Sequence, residues 1–63
     1  MKYVANYMTG NGTHMSEGLT GSNKLSLAKE IKEIAKGNKT ETEYVNWYVD
    51  DTNGNTVVCG TIR

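Results

Sequence analysis

The chain contains no phenylalanine and no proline, and only one cysteine and one histidine among its 63 residues. The lone Cys59 excludes an internal disulfide. With His14 as the only histidine, there is no Cys/His cluster of the kind that holds structural zinc, and no metal or other cofactor is expected. Apolar residues make up 37%, below the globular norm, and no apolar run approaches membrane-spanning length. An excess of either charge is also missing, because seven basic and seven acidic residues cancel. That balance argues against a chain-wide acidic mimic of DNA and against a nucleic-acid binder that works by bulk charge. A chain this short is a single domain near the lower limit of independent folding. Without a disulfide or a metal, its support must come from tight packing or from association with another chain. No secretory signal fits the polar, glycine-rich N-terminal stretch, so a cytoplasmic location is the default expectation.

What is present is strong turn and strand signal. Residues 44–63 read as one β-hairpin with Asn53-Gly54 at its tip, the pair that favours a two-residue type I′ turn with φ > 0 at both positions. In that register Thr52 faces Asn55, and Val49 pairs with Val58, Trp47 with Gly60 and Val45 with Ile62. These six strand residues share one face, which is therefore the core face. Tyr44, Asn46, Tyr48, Val57, Cys59, Thr61 and Arg63 fall on the other.

The N-terminal third reads as a second hairpin, with strands over 2–8 and 14–20 around the turn Thr9-Gly10-Asn11-Gly12-Thr13. Its register has two solutions. A two-residue Asn11-Gly12 loop pairs Met8 with Met15 and Val4 with Leu19. A three-residue Gly10-Asn11-Gly12 loop pairs Tyr7 with Met15, Ala5 with Glu17 and Tyr3 with Leu19. Placing Tyr3, Ala5 and Tyr7 toward the core is preferred, because a small Ala5 between two aromatics leaves room for a helix.

Between the hairpins, Leu27, Ala28, Ile31, Ile34 and Ala35 form one stripe of period 3.6 and predict a helix over 24–36. Either Ser22 or Asn23 can cap its start, and Gly37-Asn38 offers a left-handed exit. Lys39 to Glu43 is a polar connector without linker composition. The expected fold is α+β: a two-layer ββαββ domain, one helix on a four-stranded antiparallel sheet of order 2-1-3-4.

Chemistry-bearing constellations are few. His14 and Cys59 are the available base and nucleophile, but they lie on different hairpins with no third group to orient the base, so no enzyme is expected. The run Asp50-Asp51-Thr52-Asn53-Gly54-Asn55 lacks the alternating ligands and terminal glutamate of a calcium loop and is explained by the turn. Gly10 and Gly12 do not open a helix, so a nucleotide-binding loop fails as well. The tripeptides Asn11-Gly12-Thr13 and Asn38-Lys39-Thr40 match the glycosylation pattern and are read as a turn and a helix exit. Lys29, Lys32 and Lys36, with Lys39 beyond, form a basic ridge for phosphates or an acidic protein surface, partly neutralised by Glu30 and Glu33. The outer face of the second hairpin groups Tyr44, Asn46 and Tyr48 with Arg63 opposite Tyr44. Tyr and Arg are enriched at binding hot spots, and this set is the candidate partner-binding surface.

A hairpin, then a helix of the form Leu25-Ser26-Leu27-Ala28-Lys29-Glu30-Ile31, then a Trp-bearing hairpin resembles small bacteriophage-encoded proteins, anti-CRISPR proteins and phage inhibitors of host RNA polymerase among them. The resemblance extends over the whole chain in layout and size and carries over no functional residue. It implies a stoichiometric, non-catalytic binder of a host bacterial protein or nucleoprotein. The alternatives are a weak nucleic-acid binder using the helix lysines, and a self-associating protein that pairs an edge strand across a two-fold to form a homodimer.

Overall fold

The computed structural model describes residues 2–10, 14–39 and 43–63, with 14–18 described by backbone alone. Its elements are β1 (Tyr3–Thr9), β2 (His14–Gly21), α1 (Lys24–Gly37), β3 (Val45–Asp50) and β4 (Thr56–Ile62). The four strands form one antiparallel sheet of order β2-β1-β3-β4, as the layout predicts. The helix lies across one face of this sheet and reaches all four strands.

The helix begins where the cap chemistry dictates. Asn23 has an extended backbone, and its Oδ1 accepts hydrogen bonds from the N–H groups of Leu25 at 3.0 Å and Ser26 at 3.1 Å. Asn23, and not Ser22, is thus the cap. Asn23→Ala is expected to cost about 1 kcal/mol, read as a lower urea midpoint with an unchanged slope. The exit differs from the expectation. Neither Gly37 nor Asn38 adopts positive φ. Instead the Asn38 N–H bonds the carbonyls of Ile34 and Ala35 at 3.2 Å each, and its side-chain Nδ2 donates to Ile34 O at 3.0 Å. An amide side chain that satisfies a last-turn carbonyl removes the need for a left-handed residue.

The second hairpin reaches its predicted strand register through a different turn. Asn53 has negative φ, and Gly54 alone is left-handed at φ 84°. The Gly54 N–H bonds Asp51 O at 3.1 Å, the Asp51 N–H bonds Asn55 O at 2.9 Å, and Asp51 Oδ1 accepts from the N–H groups of Asn53 and Asn55. The loop is therefore the three residues Thr52-Asn53-Gly54, a type I turn closed by a left-handed glycine, and Asn55 faces Asp51 in place of Thr52. The type I′ expectation fails because the Asp51 carboxylate ties down the N–H groups that a type I turn leaves free. This shifts the pairing by one, to Asp50 with Thr56. A bulge at Val57 restores it, so that Val49 meets Val58, Trp47 meets Gly60 and Val45 meets Ile62.

The first hairpin uses the three-residue-loop register near its tip, pairing Tyr7 with Met15 and Met8 with His14. The register then slips by two, so that Ala5 meets Leu19 and Tyr3 meets Gly21; the expected Ala5–Glu17 and Tyr3–Leu19 pairs do not form. A slip of two leaves every side chain on its own face. The preferred inward set accordingly faces the core, with Ala5 and Tyr7 buried and Tyr3 half-buried. Ala5, Tyr7, Ile31, Ala35, Val45 and Val49 are exposed by 1% or less, with Leu27 and Ala28 beside them. Tyr3, Leu19, Ile34, Trp47, Val58 and Ile62 pack half-buried around that centre.

Candidate partner-binding surface

One helix covers one face of the sheet, and no described element covers the other. Antiparallel pairing arranges the uncovered face in rows across β1, β3 and β4. Met8, Asn46 and Thr61 form one row, Asn6, Tyr48 and Cys59 the next, and Val4, Asp50 and Thr56 the third. Two cross-strand bonds hold the outer rows. Thr61 Oγ1 donates to Asn46 Oδ1 at 2.7 Å, and Thr56 Oγ1 donates to Asp50 Oδ1 at 2.7 Å. These bonds fix the β3 and β4 side chains around the central Tyr48.

Tyr48 is half-buried, and its phenol is held above the ordinary tyrosine range, first by burial and then by the nearby Asp50 carboxylate. Like any tyrosine near pH 7 it is neutral, and it already has an interaction within the fold. Tyr44 precedes β3 and is 45% exposed. Its carbonyl accepts from the Gly10 N–H at 2.7 Å, and a Cβ on Gly10 would stand 3.0 Å from the Tyr44 ring. Gly10 thus lets the Tyr44 ring lie against the β1 end. Asn46 is half-buried and committed to Thr61. Arg63 is exposed and follows Ile62, the residue that pairs with Val45.

Three further contributors lie on β1. Val4 and Met8 are each 36% exposed, and Asn6 sits between them beside Tyr48. Asn6 Oδ1 is buried without a hydrogen-bond partner among the described residues. Sequence reasoning left these three out, although they follow from placing Tyr3, Ala5 and Tyr7 inward: strand alternation then sends Val4, Asn6 and Met8 outward.

The helix lysines lie on the other side of the molecule. Lys29, Lys32 and Lys36 are exposed, interspersed with exposed Glu30 and Glu33, and Lys36 in the last turn complements the helix dipole. Lys39 is half-buried and already engaged. The basic ridge thus reduces to three exposed lysines. The backbones of His14 and Cys59 stand on opposite edge strands, three strand spacings or roughly 14 Å apart across the sheet and two residues offset along it. No three metal-ligating side chains converge among the described residues, and those residues enclose no pocket. No described helix is long and apolar enough to cross a membrane. The tripeptide at residues 11–13 and the end of that at 38–40 lie outside the described residues.

Comparison with protein-family models, with curated proteins and with solved structures found no match to this chain.

Proposed function

We propose that this protein is a small non-catalytic binding protein of the kind bacteriophages encode, acting in the bacterial cytoplasm to inhibit or modulate a host protein or nucleoprotein. The observation that supports this most is the uncovered sheet face. It combines exposed apolar side chains, Val4, Met8 and Tyr44, with a tyrosine framed by fixed hydrogen-bonded pairs. A mixed apolar and polar surface with a central aromatic is what a protein partner packs against, and the aromatic is the natural anchor. Tyr44, Asn46, Tyr48 and Arg63 then make the specific contacts.

The test is a tagged pull-down from a bacterial lysate with mass spectrometry, followed by calorimetry on the captured partner. Tyr44→Ala/Tyr48→Ala is expected to weaken that binding about tenfold or more, with the circular dichroism of the free protein retained. Unchanged affinity in a folded double variant would move the contact to another surface. Binding that persists in that variant but is lost as salt rises would instead favour the helix lysines.

A further inference from the structure

The edge strand β4 has β3 on one side and, among the described residues, no strand on the other. Its seven residues, Thr-Val-Val-Cys-Gly-Thr-Ile, carry no charge and no proline, two of the devices that normally keep an edge from pairing; a third, the bulge, is confined to Val57. The opposite edge, β2, includes Glu17 and His14. The core is also open along β4. Val45 and Val49 on β3 are fully buried, whereas Trp47, Val58 and Ile62 at the β4 margin are only half-covered. The unpaired edge and the half-covered apolar strip therefore coincide.

We propose that a second copy of this chain pairs antiparallel along β4 about a two-fold axis at Gly60, joining two four-stranded sheets into one of eight strands. The register follows from the bulge. Val57 interrupts the strand, so the regular stretch is 58–62, whose centre is Gly60. Gly60 then faces Gly60 of the second copy, Val58 faces its Ile62, and Cys59 faces its Thr61. On the core side Val58 and Ile62 continue the apolar strip across the seam. The Gly60 pair leaves room there for the two Trp47 indoles, each of which already overlies its own Gly60.

Charge agrees with this direction. The hairpin carries Asp50 and Asp51 at its turn end and Arg63 at the other. Antiparallel pairing sets each Arg63 opposite Val57 of the second copy, at its acidic turn end and one strand from Asp50, whereas parallel pairing would set like charges together. The net charge of zero removes long-range repulsion between copies. An edge seam is small among protein interfaces. This inference shares Arg63 with the partner-binding reading but leaves Tyr44, Asn46 and Tyr48 open on the uncovered faces of both copies.

Sedimentation equilibrium from about 5 μM to about 1 mM is expected to show a monomer–dimer equilibrium. Ile62→Lys puts a charge opposite Val58 of the second copy and is expected to weaken dimerisation at least about tenfold while the circular dichroism is retained. A chain that stays monomeric over the whole range overturns the proposal, as does a folded Ile62→Lys variant that dimerises like the parent. Thr61→Cys tests the register even if Ile62→Lys fails to fold. Directly opposed residues lie about 4.5–5.5 Å apart between Cα atoms, within disulfide reach. In this register two copies of Cys59 are diagonal neighbours about 7–8 Å apart, beyond it. Mild oxidation of Thr61→Cys is therefore expected to link the introduced thiol to Cys59 of the second copy, identified by non-reducing peptide mapping. Links only between the two Cys59 residues, or none, would overturn the register.

Discussion

Tyr7→Ala is expected to destabilise the fold by about 3–5 kcal/mol, a large part of what a domain of this size holds. Tyr7 is 1% exposed and stands with Ile31, Val45 and Val49 among the largest fully buried side chains. It lies on an inner strand, paired with Met15 on one side and Trp47 on the other. The chain has no phenylalanine to share its load, so truncation leaves a cavity that aliphatic neighbours fill only in part. A domain of this size holds roughly 3–9 kcal/mol in total, so the expected loss is comparable with its whole stability. Urea unfolding followed by Trp47 fluorescence measures it, with Lys29→Ala, on the exposed helix arc, as a control expected within about 0.5 kcal/mol. A Tyr7→Ala loss below about 1 kcal/mol would mean that the β1–helix contact is not the centre of the core.

The centre of the core was legible because independent periodicities agreed on it. The 3.6-residue stripe through Leu27, Ile31 and Ala35 and the two-residue alternation through Val45, Trp47 and Val49 each expose one apolar side. Topology followed, since three apolar surfaces leave little choice but a helix on a sheet. The turn is ambiguous in sequence because Asn53-Gly54 suits both a type I′ turn and a type I turn closed by glycine. The deciding group is Asp51, one residue before the loop, whose carboxylate collects two backbone N–H groups. The strand register survived because the bulge at Val57 cancels the extra loop residue, and composition gives no sign of that compensation. The helix exit departs from the expected one for a related reason: the Asn38 side chain bonds a carbonyl that a left-handed glycine would otherwise have served.

The candidate surface was legible only on the hairpin whose register could be counted. Tyr44, Asn46 and Tyr48 follow from alternation along β3. Their β1 neighbours depend on which long-range strand lies alongside, and the pairing of Asn6 with Tyr48 joins residues 42 positions apart. A local pattern carries no information about such a contact. The bonds from Thr61 to Asn46 and from Thr56 to Asp50 depend on the same ladder and on the bulge within it.

Gly60→Val sets strand propensity directly against packing. Valine favours strands and glycine disfavours them, so propensity alone predicts a gain of about 1 kcal/mol. A Cβ at Gly60, however, would stand 2.6 Å from Cζ2, 2.8 Å from Cε2 and 2.9 Å from Nε1 of Trp47. Real Cβ atoms do not approach other heavy atoms so closely, and valine adds two methyl groups beyond. The indole must swing off β4, uncovering Val58 and Ile62 on the same margin. The expected net result is a loss of about 2–3 kcal/mol, at the upper end of overpacking costs. A red-shifted Trp47 emission should accompany it, because the displaced ring meets more water. The cause is separable from any general intolerance of β4. Trp47→Leu, combined with Gly60→Val, removes the colliding ring, so the double variant is expected to be more stable than the sum of the single losses by at least about 1 kcal/mol. Additive losses, or a Gly60→Val variant more stable than the parent, would show that the indole does not rest on the glycine. In that case propensity would govern this strand.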